Sequence, residues 1–472
     1  MSISTISQDL KGSLSPNCSI LVDPDSDAFK DHLRRWSSVG LQTPAAIVKA
    51  ATEQDVAVVV KYAVEHSIPF VPVGGGHSLW STIGQDGFIL DLSLQKAIEI
   101  DKEAATVKIQ AGVLTKELNV AATEAGFCIA TSNARSVRVI PALLGGGFSS
   151  ISPIHGLGID NFLSARVVTA THGLVVASPT ENPDLFWALQ GAGQAFGVVT
   201  EVTVKLHPLS TLGAEDGKFW TFTFIYGQEQ VQAVAETLER VSETLPRELI
   251  GMALMAAPPP NFKALLEISI QFFGPEEQAR HVLAPFFDLN PVNQTQTRIS
   301  FDQISDSTDH LDKKGGYKYL SSTGRRKISA TKLANGFRFF ADAVDKHPEL
   351  RKSMVGTSFY NPSRMQEVPD ESTAWGHRNI SAWVMAFPFT EDAETFPLAE
   401  DYAREFLGHV REEDPEKIAS FPNHTRERPA HERYPGAWRL ERLHALKREW
   451  DPKGVFPQDF FNHLMYRTQK IE

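Results

Sequence analysis

The chain has little cysteine, no surplus of basic residues and no long apolar run. Its 472 residues include two cysteines, Cys18 and Cys128, too few for a disulfide framework or a cysteine-rich metal site. The 46 basic and 57 acidic side chains give a formal net charge of -11, so we expect no nucleic-acid partner. No apolar run is long enough to span a membrane, and MSISTISQDLKGSL at the N-terminus does not have the pattern of a signal peptide. We therefore expect no membrane partner and a cytoplasmic location.

The motifs of several enzyme classes are absent as well. There is no HExxH sequence and no paired CxxC, so we expect no metal site. A GxSxG nucleophile elbow is also missing. The glycine cluster GGGHS at 74–78 is not followed by Gly-Lys-Ser/Thr and does not have the spacing of a dinucleotide fingerprint. These differences exclude a phosphate loop of the Walker type and a Rossmann fingerprint.

The order of apolar and polar segments predicts an α+β protein. Residues 43–67 carry apolar side chains at helical spacing, with Thr52 and Asp55 as candidate starts, and residues 97–113 and 162–178 read as strand pairs. After about residue 214, long β-rich runs alternate with helices near 227–245, 275–288, 330–346 and 391–408. This texture predicts a largely antiparallel sheet covered by helices. We divide the chain into an N-terminal domain (1–212), a middle domain (213–420) and a C-terminal segment (421–472).

The cluster GGGHS raises the question of what a histidine does beside three glycines. Glycines free the backbone for positive φ and let main-chain N–H groups approach an anion. Taken alone, the cluster is better explained as a tight turn between strands with a surface histidine. A second region, residues 132–208, adds GGGF, HGLGIDN, ENPDLFWAL and QGAGQAFGVVTEV in that order, and the chain closes with RLHALKREWDPKGVF.

Taken together, these motifs resemble the vanillyl-alcohol-oxidase superfamily, in its berberine-bridge-enzyme and 6-hydroxynicotine-oxidase branch. The resemblance covers roughly residues 40–210 and 420–462. It implies a two-subdomain FAD-binding domain of the PCMH type, a substrate-binding middle domain, and a C-terminal segment that returns to the FAD domain. FAD is the implied cofactor, and a small organic molecule and O2 are the implied partners. The oligomeric state stays open.

The resemblance also assigns roles to individual residues. His77 occupies the position that in many members bonds covalently to the flavin. A second, cysteinyl link is not expected, because its position is held by Ala134 and Cys128 lies too early in the chain. The remaining implied cofactor contacts lie in the two glycine clusters and near the chain end: Val73, Gly74, Gly75, Gly76, Ser78, Val137, Gly145, Gly146, Gly147, Val198, Val199 and Asn423. Val137 corresponds to the position that tunes oxygen access.

The sequence departs from the family pattern at several of these places. Val73 stands where an arginine is common, and RSVRVIP at 135–141 replaces a small, glycine-rich run. Phe421 replaces the tyrosine of a Tyr-x-Asn motif, and Gly454 an asparagine. The pair Asp160 and Asn161 is expected to fix a turn. These departures leave FAD binding as the expectation and weaken any transfer of substrate preference.

Candidate catalytic groups come from the middle domain. Tyr317, Tyr319 and Tyr360 are the predicted catalytic tyrosines, and His310 is a further candidate; each is equally explained as a surface or packing residue. Lys313, Lys314 and Lys318 would favour a phenolate if they lie beside one of these tyrosines. The expected activity is oxidation of a small molecule of specialised metabolism, with hydrogen peroxide as product. A cyclase or pericyclase of the same fold with structural FAD, and a non-catalytic flavin carrier, are the alternatives.

Overall fold

The computed structural model describes residues 6–10, 12–213, 216–424 and 428–456, apart from the side chains at 307, 308 and 310. Its strands are β1 Ser19–Leu21, β2 Ala46–Lys49, β3 Phe70–Val73, β4 Phe88–Asp91, β5 Ile98–Asp101, β6 Thr106–Gln110, β7 Phe127–Cys128, β8 Phe162–Thr169, β9 Gly173–Ala177, β10 Val198–Lys205, β11 His207–Pro208, β12 Lys218–Tyr226, β13 Leu249–Ala256, β14 Leu265–Phe272, β15 Asn293–Ser300, β16 Tyr317–Lys318, β17 Ser321–Arg325, β18 Met354–Tyr360, β19 Ala382–Phe387 and β20 Phe389–Thr390.

The helices are distributed along the whole described chain. They are α1 Ile6–Asp9, α2 Asp27–Leu33, α3 Glu53–His66, α4 Thr115–Glu124, α5 Val139–Leu144, α6 Ser152–His155, α7 Pro183–Ala192, α8 Val231–Ser242, α9 Glu276–Phe287, α10 Ala330–Lys346, α11 Ser363–Gln366, α12 Phe396–Val410, α13 Ala430–Arg433 and α14 Ala437–Trp450. The mixture of sheets and helices confirms the predicted α+β class.

A small sheet of four strands, in the order β1-β2-β4-β3, supports the first glycine cluster. β2 and β3 run parallel to β4, and β1 pairs antiparallel with β2. The predicted helical segment at 43–67 is therefore partly wrong, because its first part forms β2, buried between two strands. The helix begins after Thr52, whose side-chain oxygen accepts from the Asp55 backbone N–H at 3.1 Å. Strand β3 ends at Val73, and the glycine cluster follows directly.

A second sheet has the order β5-β6-β10-β8-β9 and is antiparallel throughout. The predicted strand pairs at 97–113 and 162–178 are confirmed as β5–β6 and β8–β9. Gly173 begins β9 with a φ of 64°, a conformation that glycine adopts without steric cost.

The large sheet has seven antiparallel strands in the order β15-β12-β14-β13-β18-β19-β17. Strand side chains point alternately to the two faces of a sheet. One face packs against helices α8, α9, α10 and α12 in an apolar core that includes Phe224, Ile268 and Phe337. The other face, which carries Met252, Ser269 and Trp383, lines a cavity.

The C-terminal segment packs against the N-terminal part of the chain. Leu443 and Trp450 of α14 belong to the same apolar core as the first two sheets. The Lys447 ammonium group donates to the Ala195 carbonyl at 2.6 Å and pairs with Asp451 at 2.7 Å. These contacts agree with the predicted return of the segment, whereas the exact divisions at 212 and 420 stay a prediction.

No helix in the described ranges combines the length and the apolar character needed to cross a bilayer.

Candidate active site

A cavity of about 1610 Å³ separates the first glycine cluster from the face of the large sheet that lies opposite helices α8, α9, α10 and α12. Single-ligand pockets in proteins usually measure about 300–1,000 Å³, so this cavity has room for two molecules. Ten of the sequence-predicted site residues line it: Gly74, Gly75, Gly76, His77, Ser78, Val137, Val198, Val199, Tyr319 and Asn423. The fold thus brings together residues that are up to 349 positions apart (423 minus 74).

Within the glycine turn (residues 74–78), the three glycines leave little space for side chains. A Cβ on Gly76 would lie 2.7 Å from the Arg35 side chain, and one on Gly74 would lie 3.1 Å from Pro141. Gly76 also has a φ of +66°, a region in which other L-residues are strained. The turn is therefore closely packed backbone, with its free side towards the cavity.

His77 lies at the cavity wall in a position that keeps it neutral. Its Nε2 is 3.0 Å from the Ser136 hydroxyl, and its ring stacks on Trp36 with centroids 5.8 Å apart. Burial, assisted by the charges of Lys318 and Lys314, lowers the pKa of His77 to about 4. At neutral pH the imidazole therefore carries a free lone pair, which a nucleophile or a hydrogen-bond acceptor needs.

Arg138 packs over the glycine turn and has unused donors. Its Cγ would be 3.3 Å from a Cβ on Gly75 and 3.4 Å from one on Gly74. Its Nε and Nη1 are buried and bond to no atom in the described part of the chain. Unpaired buried donors of a charged group are costly, so these nitrogens favour an acceptor inside the cavity.

The lysine-containing loop at 312–318 lies beside Trp36, on which His77 stacks. Lys318 Nζ lies 4.9 Å from the centre of the Trp36 ring and donates to the Lys313 carbonyl at 2.5 Å. Burial lowers the pKa of this lysine. The loop is anchored where the Ser38 backbone N–H donates to the Gly316 carbonyl at 2.8 Å.

The second glycine cluster allows other groups to approach closely. A Cβ on Gly145 would lie 2.1 Å from the Asn423 side-chain oxygen, and one on Gly146 would lie 2.6 Å from the Trp375 ring. Asn423 donates to the Pro141 carbonyl at 3.1 Å and accepts from Gln194 at 2.5 Å. Gly145, Gly146 and Gly147 thus shape the wall from behind and are not themselves among the lining residues.

His424 of the C-terminal segment contacts the large sheet. Its Nδ1 is 2.9 Å from the Ser322 hydroxyl of β17, and its ring stacks on Phe421 at 4.4 Å between centroids. Burial lowers the pKa of His424 to about 3, so this cavity-lining imidazole is also neutral.

Sequence reasoning missed His424, Trp36, Ser136 and the role of Arg138. His424 follows the predicted Asn423 directly, and Arg138 belongs to the segment RSVRVIP that departs from the family pattern, so both had a local signal. Trp36 had none, because it reaches His77 only through the fold. Asp160, as expected, has a structural role: it accepts from the Leu157 backbone at 2.9 Å.

The structure moves two of the three predicted tyrosines away from the cavity. Tyr360 is 2% exposed, packs on Phe148 at 4.8 Å between ring centres, and its pKa is raised by burial. Tyr317 faces Phe396. Neither is a lining residue, whereas Tyr319 is. The side chain of His310 lies outside the described residues.

Val73 requires a similar correction. It is buried with Phe29, Ile47 and Ile89 under the small sheet and does not line the cavity. Its backbone accepts from the Leu92 N–H at 3.0 Å. Val73 therefore supports the glycine turn from below, and we leave it out of the proposed cofactor contacts.

Comparison with known proteins identifies the cofactor and the enzyme class. An FAD binding domain matches residues 44–178. FAD-linked oxidoreductase fogF of Aspergillus ruber is 31% identical over 445 residues, which cover 92% of this chain and 88% of that protein. These two findings support the assignment independently of the fold.

Solved structures share the fold over nearly the whole chain. BBE-like 1 of Physcomitrella patens matches with a TM-score of 0.82 at 21% identity, covering 96% of this chain and 97% of that chain. Glucooligosaccharide oxidase from Acremonium strictum, described with a 6-S-cysteinyl, 8α-N1-histidyl FAD, matches with a TM-score of 0.78 at 22% identity, covering 93% and 96%. This chain belongs to the FAD-linked oxidoreductases and has the FAD-binding fold of the berberine-bridge-like flavoenzymes.

Proposed function

We propose that this enzyme is an oxidase that takes two electrons from a small organic substrate and passes them to O2, giving hydrogen peroxide. The observation that carries the proposal is His77, a neutral imidazole at the end of a glycine turn on the wall of a cavity large enough for cofactor and substrate. An oxidative step in specialised metabolism is the role that the resemblance implies, and we propose it for this chain.

The residues around the glycine turn fit an FAD molecule. The close packing of Gly74 and Gly75 leaves the cavity side of the turn to backbone, which suits the approach of a phosphate group. Arg138 offers buried donors that need an acceptor, and a diphosphate or a flavin carbonyl supplies one. Val198 and Val199 would line the cofactor from β10, and Asn423 from the C-terminal segment.

We further propose that His77 is bonded covalently to the flavin through Nδ1. The Ser136 hydroxyl lies 3.0 Å from Nε2, so a proton on Nε2 can be donated to Ser136 while Nδ1 keeps its lone pair. Bond formation replaces one C–H bond of the flavin 8α-methyl and the N–H of the imidazole by a C–N bond. The bond would release two electrons and two protons: the flavin ring would take up the electrons and O2 would receive them together with the protons as hydrogen peroxide.

A single covalent link is the proposed arrangement. Cys128 is buried in β7, where its sulfur is 3.9 Å from the Thr211 hydroxyl, and burial raises its pKa to about 12. Ala134 lines the cavity at the position where the resemblance would require a cysteine. Among the lining residues of the described chain there is no thiol.

The flavin, when bound, accepts a hydride from the substrate carbon. The chain must hold that carbon in place and remove the proton of an alcohol or amine. Of the residues that line the cavity, we propose His424 or Tyr319 for the removal of this proton. His424 is the stronger proposal, because its neutral imidazole offers a lone pair to the substrate O–H or N–H, whereas a phenol accepts a proton only as phenolate. Since burial makes this imidazole a weak base, the proton would move to it only as the hydride leaves and the O–H or N–H becomes strongly acidic. Val137 lines the cavity beside Ser136, and we propose that it controls the access of O2.

The oxidase step can be tested without a known substrate. The holoenzyme is reduced by light in the absence of air, mixed with aerated buffer, and followed through its flavin absorbance and the hydrogen peroxide formed. We expect rapid reoxidation with one peroxide for each flavin. Reoxidation over many minutes would contradict an oxidase and favour a dehydrogenase or the non-redox cyclase.

A further inference from the structure

The cavity face of the large sheet has a polar half on β12 and β14 and a mostly apolar half on β13, β18 and β19, where Ser358 is a polar lining residue. The strand register places lining side chains in rows across the sheet, because residues paired in an antiparallel sheet share a face. On one side, Thr223 of β12 lies opposite Ser269 of β14, and Thr221 lies opposite Gln271. All four side chains line the cavity and are polar.

The neighbouring strands β13, β18 and β19 carry a different set. Leu254 is paired with Gly356, and Gly356 is paired in turn with Met385. In the next row, at the start of β18 and the end of β19, Met354 lies opposite Phe387. These side chains line the cavity and are half-buried, except for the buried Gly356.

Gly356 makes the apolar half a trough. Gly356 carries no side chain between Leu254 and Met385, so the floor of the trough there is backbone. The flexible Met252 side chain lies over this floor, with its sulfur 2.8 Å from the position that a Cβ on Gly356 would take. Rows on one face of a strand are about 6.7 Å apart, so the three rows from Met252 to Phe387 span about 13 Å. The apolar trough is defined here by Met252, Leu254, Met354, Gly356, Met385 and Phe387.

This lining selects against a polyhydroxylated ligand. Each sugar hydroxyl placed on methionine, leucine or phenylalanine side chains would lose its hydrogen bonds with water and find no partner. An alkyl, alkenyl or aryl group would instead remove apolar surface of both the ligand and the trough from water. Methionine side chains adapt to such groups because they are flexible and polarisable.

We infer that the apolar trough binds an extended apolar chain of the substrate, and that the substrate class is an alcohol or amine with such a chain, not an oligosaccharide. The assignment of an alcohol or amine as the oxidised group rests on the proposed function. The assignment of an extended apolar chain rests on the apolar trough alone. Glu267, which is paired with Leu254 in the register and accepts from the Ser269 hydroxyl at 2.5 Å, lies beside the trough and would receive a hydroxyl or ammonium group.

The test uses 4-n-alkylbenzyl alcohols from methyl to octyl as probes, with cellobiose and cellotriose as polar comparators. Binding to the holoenzyme is measured by isothermal titration calorimetry, so that it does not depend on turnover. Reduction of the flavin by each probe is followed separately without air. We expect the dissociation constant to fall about fourfold for each added methylene, with a heat-capacity change that becomes more negative along the series.

Variants of residues in the apolar trough test whether the dependence of the dissociation constant on chain length arises there. Met385→Gln keeps nearly the same volume and adds an amide, so we expect it to flatten the dependence on chain length while the flavin content stays unchanged. Met354→Gln is the second variant, in case the first does not fold. Thr221→Val, on the polar half and with its hydroxyl bonded to the Thr297 carbonyl, should leave the dependence on chain length as it is.

Each outcome is decisive. A chain-length dependence without flavin reduction would keep the trough and contradict the proposed oxidation of alcohols. A dissociation constant that does not change with chain length, or one that falls from cellobiose to cellotriose, would overturn the inference even if the enzyme proves to be an oxidase.

Discussion

The two walls of the cavity are built in different ways. The wall at residues 74–78 and 145–147 depends on glycine backbone in close contact with Arg138, Asn423 and Trp375. The opposite wall is a regular sheet whose alternate side chains form the surface. The first wall has almost no freedom to change without steric conflict, whereas the second can exchange side chains and keep its fold. This difference suits a fixed cofactor on one side and a variable substrate on the other.

The largest expected effect concerns His424, where the two walls meet. We expect His424→Gln to lower kcat by about 10²–10⁴-fold, the usual contribution of a general base, with the flavin spectrum unchanged. Stopped-flow reduction with the best alkylbenzyl alcohol measures the step directly. Tyr319→Phe is the matched variant. If kcat falls in Tyr319→Phe and not in His424→Gln, the base is the tyrosine.

Arg138 tests the cofactor wall. In a His77→Ala background, which removes the proposed bond, we expect Arg138→Met to raise the FAD dissociation constant about ten- to hundredfold, the loss of a hydrogen bond to a charged group. Fluorescence titration of the apoprotein with FAD measures it. Arg135→Met is the control, since Arg135 belongs to the same segment but pairs with Asp309 at the surface. Equal affinities in the two variants would contradict a role for Arg138.

Adding one methyl group to a glycine of each wall compares how much steric change the two walls tolerate. We expect Gly145→Ala to lower the free energy of unfolding by about 1–3 kcal/mol, because its Cβ would lie 2.1 Å from an Asn423 oxygen whose amide is held by hydrogen bonds. Gly356→Ala meets the end of the flexible Met252 side chain at 2.8 Å, so we expect a smaller loss. Urea unfolding measures both, and a larger loss in Gly356→Ala would reverse the comparison.

The last prediction concerns the dependence of stability on pH. Burial lowers the pKa to about 4 for two histidines and to about 3 for three; the five are His77, His207, His155, His377 and His424. An unfolded histidine titrates near pH 6.5, so between pH 6.5 and 4 the unfolded chain binds more protons than the folded one. Stability is therefore complete above pH 6.5 and falls as the solution is acidified.

Thermal unfolding between pH 8 and pH 4.5 measures this dependence. We expect a lower Tm at pH 5 than at pH 7, and a smaller difference in a His155→Gln/His207→Asn variant, which removes a stacked pair with centroids 3.9 Å apart. A Tm that rises on acidification from pH 7 to pH 5 would mean that these imidazoles are charged in the folded protein.

The sequence predicts the cofactor wall better than the substrate wall, for a physical reason. The positive φ of Gly76 and the close packing of the turn against Arg35, Arg138 and Pro141 favour glycine, so GGGHS at 74–78 leaves a local signature. Strand and helix periodicity predicts the large sheet, but which face of β13 or β18 lines a cavity depends on partners far away in the chain. The tyrosines Tyr317 and Tyr360 illustrate this, because nothing near them in the sequence distinguishes a core position from a lining one.

The central claim is the covalent flavin on His77, and acid precipitation of the purified enzyme tests it most directly. We expect the yellow colour to stay with the protein pellet, and to move to the supernatant when His77→Ala is treated in the same way. Flavin released from the unmodified enzyme would contradict the claim and leave His77 as a neutral, non-covalent neighbour of the cofactor.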